Sequence, residues 1–137
     1  MPNSQSIPEQ ARSLFQGKNF AYLSTLMKDG SPQVSPVWVD IEGDEIIVNT
    51  AQGRIKQKNV SRDPRVAISV ADSTNPYTMI AVQGRVVKQT TEGAEEHIDQ
   101  MAKKYLGVDK YPGRAPGERR ILLRIKPEKV HYQSFRG

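Results

Sequence analysis

The sequence predicts a small, mostly antiparallel β-barrel with helices at its ends or flank. Short runs rich in β-branched residues alternate with turn signals, and the elements read β-β-β-α-β-β-α-β with no βα alternation of the kind a parallel sheet requires. Only one long segment carries apolar residues at helical spacing. A chain of 137 residues with 36% hydrophobic and 26% charged residues is long enough to bury a core without staples, so one domain over 1–137 is expected, with 1–6 and 133–137 as flexible tails. No run approaches the ~20 apolar residues a spanning helix needs. The start MPNSQSIPEQ lacks the basic and apolar regions of a signal peptide, and a cytoplasmic location is expected.

The elements follow in order. Ser6 and Glu9 have capping-box spacing, with Pro8 in the first turn and Gly17 placed to stop a short helix whose apolar face is Ala11, Leu14 and Phe15. FAYLSTLM, QVSPVWVDI and EIIVNT, joined by turns at Asp29-Gly30 and Gly43, read as a three-stranded meander. Within the second run Val34, Pro36, Trp38 and Asp40 share one face, and Pro36, which lacks an N–H, suggests a bulge. Gln52 to Val60 forms a basic helix, RVAISVA the next strand, and YTMIAVQGRVVKQ another, with Gly84 marking a bulge or close approach. The long helix spans about Glu92 to Leu106, with a stripe of Ala94, Ile98, Met101, Ala102, Tyr105 and Leu106, acids at its start and lysines at its end. A loop over 107–118 precedes the last strand, RRILLRIKP, and an extended tail.

Several chemistries find no residues to perform them. With no cysteine there is no disulfide, zinc-thiolate site or thiol nucleophile. His97, among Glu95, Glu96 and Asp99, reads as a solvated helix residue. His131 alternates along the last strand, so neither a metal site nor a catalytic triad is indicated. P-loop and Rossmann glycine patterns are absent.

Charge is uneven. Residues 1–50 carry three cations against six carboxylates, whereas 53–65 carry Arg54, Lys56, Lys58, Arg62 and Arg65 against Asp63 alone. In IIVNTAQGRIKQKNVSRDPRVAISV a strand ends at Asn49-Thr50, turns through Gly53 and opens a helix with Arg54 and Lys56 in its first turn. A helix N-terminus with free N–H groups and two cations suits a phosphate, and Gly53 lets it approach the backbone.

With the following NPYTMIAVQGRV and the late KKYLG..KYP element (Lys103 to Pro112), this segment resembles the pyridoxamine 5′-phosphate oxidase-like split-barrel flavin and deazaflavin oxidoreductases, in particular the branch that uses coenzyme F-420. The resemblance covers roughly residues 8 to 132. It implies a mostly β fold with flanking helices, a six-stranded antiparallel split β-barrel of the FMN-binding type, and a homodimer with cofactor sites at its interface. Ser35, Pro36, Val37 and Trp38 would lie along the tricyclic ring, Val48, Asn49 and Thr50 at the strand end, and Gly53, Arg54, Ile55 and Lys56 around the phosphate. Asn75, Pro76 and Tyr77 would complete the pocket from the partner subunit, with Tyr77 or Ser35 as proton-donor candidates and no metal.

Two departures from the family matter. Glycine replaces the usual serine before the cations, as in the F-420 branch. The stretch QVSPVWVD also lacks the arginine and lysine that pyridoxamine phosphate oxidases carry there. The activity implied is hydride transfer from reduced F-420 to an electron-poor conjugated small molecule. The alternatives are the same fold with FMN, as an oxidoreductase or flavin-binding protein, and a non-enzymatic haem or nucleic-acid module; 7% aromatic residues offer few stacking platforms for the last.

Overall fold

Seven strands, one more than expected, form a single antiparallel sheet in the computed structural model, which describes residues 5–134. The strands are β1 (Ala21–Leu26), β2 (Pro32–Val37), β3 (Asp40–Glu42), β4 (Glu45–Ala51), β5 (Arg65–Ala71), β6 (Met79–Thr90) and β7 (Arg120–Gln133). The helices are α1 (Arg12–Gln16), entered through a 3-10 turn at Glu9–Ala11, α2 (Ile55–Arg62) and α3 (Ala94–Leu106). Of the expected tails, 1–6 and 133–137, residues 1–4 and 135–137 lie outside the described residues, while Gln5 donates its N–H to the Glu128 carbonyl at 3.1 Å and Gln133 ends β7.

The extra strand comes from QVSPVWVDI, which does not remain one strand. Its first half pairs with β1 and its second with β4, and these are the two opposite edges of the order β2-β1-β5-β6-β7-β4-β3. The meander is therefore corrected: β2 never pairs with β4. Because only Trp38 and Val39 separate β2 from β3, the sheet has to curl until its edges nearly meet, and the barrel is split at this point. Pro36 causes no bulge. It sits opposite Tyr22 on an edge strand, where a missing N–H is tolerated.

Val39 falls in the gap without a ladder partner, yet it is fully buried, and α3 satisfies it. The Val39 N–H donates to Tyr105 Oη at 3.1 Å, and Lys104 Nζ donates to the Val39 carbonyl at 2.7 Å and to the Phe15 carbonyl at 2.6 Å. Burial holds the Lys104 ammonium below its ordinary pKa, partly offset by Asp40. These bonds fix α3 against the split. Tyr105 is core, as its stripe position suggests, but Leu106 is 51% exposed, and His97 takes a buried place that the stripe did not include.

Inside the curl lie Phe15, Leu23, Ile46, Val48, Ile80, Leu123 and Ile125, all essentially inaccessible. No side chain caps the first helical turn, so the Ser6–Glu9 box does not form. The chain enters instead through buried Ile7, whose N–H donates to Asp44 Oδ1 at 3.3 Å. The last strand does not stop at Pro127 but runs to Gln133, with Pro127 opposite Gly84 across a register shift. A Cβ on Gly84 would run into the Lys126 carbonyl oxygen, a backbone atom that cannot swing away. Gly84→Ala is expected to cost about 1–3 kcal/mol; an unchanged urea midpoint would show that the β6–β7 bulge yields freely.

Candidate functional site

An open cavity of about 220 Å³ lies where β2 gives way to β3. Pro36, Val37 and Trp38 form its strand-break wall, Asn49 and Thr50 at the end of β4 its floor, and Arg54 and Lys56 at the start of α2 one side. Phe20, Ile98, Tyr111 and Arg120 complete it.

Packing fixes the aromatic wall. Trp38 stacks on Tyr105 (centroids 5.1 Å, planes 4° apart) and meets the edge of Tyr111 at 5.9 Å, while Phe20 lies 5.7 Å from Tyr105. One indole face is therefore taken by Tyr105. The loop carrying Tyr111 is tied to α3, since the Tyr111 N–H donates to Asp99 Oδ1 at 2.9 Å and Arg114 pairs with both Glu95 and Asp99.

The cationic side is set by α2. This helix is too polar to bury a stripe, so buried Asn59 pins it by donating to Thr25 Oγ1 on β1 at 2.9 Å. Arg54 is the N-cap residue rather than part of the first turn, and the turn uses its own N–H groups: Gly53 donates to Gln57 Oε1 at 2.9 Å and Arg54 to the Ala51 carbonyl at 3.3 Å. The first-turn N–H groups of Ile55, Lys56 and Gln57 have no acceptor among the described residues, so backbone donors stand beside the cationic side chains. Burial, with the Arg54 and Arg120 charges close by, holds the Lys56 ammonium below its ordinary pKa. No carboxylate pairs with Lys56 among the described residues.

Arg120, 5% exposed, was not singled out in the sequence. Its Nε donates to Asn49 Oδ1 at 2.9 Å, its guanidinium pairs with Glu118 at 2.9 Å, and it lies 5.2 Å from the Tyr111 ring centre. Behind Asn49 stands His97, which is not solvated but 9% exposed. The Asn49 amide nitrogen lies 3.1 Å from His97 Nδ1 and also donates to the Ala94 carbonyl, and His97 Nε2 lies 3.1 Å from Asp40 Oδ2. With Nδ1 accepting, Nε2 carries the proton toward Asp40. Burial pushes the Asp40 carboxyl up, but bonds from His97 and the Ile41 N–H bring it below its ordinary pKa.

The remaining candidates do not line this cavity. Val48 is core, Ile55 is 55% exposed, and Gly53 sits in the turn with φ +87°. Ser35 Oγ is buried with no hydrogen-bond partner among the described residues, turned away from solvent. Asn75, Pro76 and Tyr77 occupy the β5–β6 loop, with Tyr77 59% exposed. Of the four residues the sequence reading missed, Tyr111 lies in the KYP element, whereas Phe20, Ile98 and Arg120 look like ordinary strand and helix residues. A larger hollow of about 440 Å³ lies on the outer sheet face, but it is mostly apolar, and Lys129 is the one lysine or arginine that lines it.

Among solved structures, the chain is similar to an F420 reductase, with 26% identity, TM-score 0.80, and coverage of 93% of this chain and 100% of that one. General Stress Protein 26 from Bacillus anthracis is 19% identical (TM-score 0.65; 90% and 91% covered), as is HupZ from Group A Streptococcus (TM-score 0.65; 90% and 91%), and these two share the fold. The antiparallel sheet split at Trp38 is thus the split-barrel fold of these neighbours. A family model described as pyridoxamine 5′-phosphate oxidase matches residues 7–134, a span that holds every strand, every helix and the whole cavity wall, and the chain belongs to that family.

Proposed function

We propose that this chain is an F-420-dependent oxidoreductase that reduces an electron-poor conjugated small molecule. The observation that carries the reading is half-buried Lys56, beside Arg54 and Arg120 and without a carboxylate, facing an aromatic wall across one cavity. That arrangement suits a planar ring joined to a phosphate. Arg54 and Lys56 hold the phosphate, Asn49 and Thr50 meet the chain linking it to the ring, and Pro36, Val37 and Trp38 border the ring. When bound, the reduced deazaflavin supplies a hydride. The protein's part is to orient the ring, exclude water with Trp38, Phe20 and Tyr111, and hold the anion. Similarity to an F420 reductase over nearly the whole chain supports this choice, and FMN is the alternative.

The site is shared between two copies. Tyr22 and Val34, 54% and 63% exposed on the outer sheet face, border the apolar hollow that a second copy covers. Asn75, Pro76 and Tyr77 then reach the neighbouring cavity, with Tyr77 as proton donor; Ser35, its Oγ buried, is the poorer candidate. Sedimentation should give a dimer, and a monomer at working concentration would refute this arrangement.

A paired titration with F-420 and FMN in the same buffer, followed by quenching of Trp38, the sole tryptophan, tests the cofactor. Micromolar F-420 binding with weaker FMN binding is expected; the reverse order assigns FMN, and binding of neither refutes both. Arg54→Ala and Lys56→Ala should each lower affinity roughly 10- to 100-fold, the loss of one charge-assisted contact. Affinity unchanged in both would remove the phosphate from this end of the cavity. Because Lys56 loses its proton more readily than a free lysine, binding should weaken as pH rises into the alkaline range.

A further inference from the structure

Glu118 brings a carboxylate to the cationic side of the cavity. Its side chain is only 6% exposed; Oε1 accepts from Arg120 at 2.9 Å and from Arg54 at 3.1 Å, and Oε2 accepts the Ala115 N–H at 3.4 Å. Burial would push its carboxyl up, but the Ala115 N–H and the two arginines hold it below its ordinary pKa, so the group is charged. Arg120, 5% exposed, and Glu118 thus form a buried neutral pair, and Glu118 also takes up part of the Arg54 charge. Lys56 alone of the three cations faces the cavity without a carboxylate neighbour among the described residues.

The field on a bound anion is weaker than three cations imply. The cost of stripping water from an ion grows with the square of its charge, whereas its attraction to fixed cations grows only in proportion. A phosphomonoester carries about −1.5 to −2 at pH 7, a phosphodiester a single charge. We propose that Glu118 makes this cavity select a phosphodiester monoanion over a phosphomonoester dianion. The inference rests on the cofactor reading and deepens it, because the phosphate of F-420 is a diester and that of FMN a monoester.

Calorimetric titration of the full chain with riboflavin, FMN, riboflavin 5′-methylphosphate and F-420 tests it. FMN and its methyl ester share a ring and differ by one charge, so their ratio isolates the phosphate. In the unmodified protein the methyl ester is expected to bind at least as tightly as FMN. Glu118→Gln should raise FMN affinity about threefold or more beyond its effect on the methyl ester and F-420, with riboflavin unchanged and Glu118→Asp keeping the original ratio. Equal gains for monoester and diester, or losses for both, would overturn the inference, since Glu118 would then only position Arg54. Should Glu118→Gln fail to fold, the unmodified protein decides: FMN tighter than its methyl ester by tenfold overturns it. Tight FMN binding that depends on Arg54 and Lys56 but ignores Glu118→Gln defeats this inference alone. No binding of any phosphate ligand defeats the cofactor reading as well.

Discussion

Arg120→Met is expected to lower stability by about 3–5 kcal/mol and to weaken phosphate-ligand binding as well. The methionine keeps much of the volume but leaves the 6%-exposed Glu118 carboxylate facing only partly exposed Arg54, and removes the donor that holds Asn49 Oδ1. Most of the stability loss comes from the uncompensated buried charge. The double variant Arg120→Met with Glu118→Gln should therefore recover a large part of it in urea unfolding, while binding stays weak. If the double variant is as unstable as the single one, the Arg120 methylenes and their contact with Tyr111 matter more than the ion pair.

His97→Ala should cost about 2–3 kcal/mol, since it takes one partner from half-buried Asp40, which keeps the Ile41 N–H, and one from half-buried Asn49, which keeps the Ala94 carbonyl and Arg120. The pH dependence gives a second readout. Asp40 titrates below its unfolded value, so its contribution is complete above roughly pH 4 and is lost as pH falls through the lower folded value. Removing His97 takes away the strongest bond holding that carboxyl down, and stability of the variant should fall less steeply between about pH 4 and 2. His97→Asn retains an acceptor near Nδ1 and should preserve ligand affinity through Asn49, whereas His97→Gln reaches toward Asp40 and should preserve the acid dependence. Identical profiles for all three variants would reduce His97 to a space-filling residue.

The chain's residues announced much of this in advance. Turn glycines, β-branched runs and the 3.6-residue stripe from Ala94 to Tyr105 are local signals, because each is set by backbone sterics and by which face meets the core. Asn49, Thr50, Arg54 and Lys56 were legible for the same reason: they follow one another across a strand, a turn and a helix start, and the turn delivers them to one place. Gly84 was legible as a constraint, though not the partner that imposes it.

What no local pattern carried were the meetings of distant segments. QVSPVWVDI reads as one strand because nothing within it marks Trp38-Val39 as a break. The break exists because the sheet closes on itself and Tyr105 and Lys104, more than sixty residues away, satisfy the Val39 backbone. Arg120 begins an ordinary apolar strand, and only the β4–β7 pairing sets it beside Asn49, where it shares Glu118 with Arg54. His97 counts as solvated among glutamates until α3 docks and turns it toward Asp40. The sequence by itself determined the element types, the antiparallel class and the strand-turn-helix that carries two of the cations, all consequences of short-range sterics and periodicity. Tertiary structure decided where the barrel splits, which third cation joins the first two and which carboxylate tempers them, because charge and hydrogen bonding act through space between residues that the chain keeps far apart.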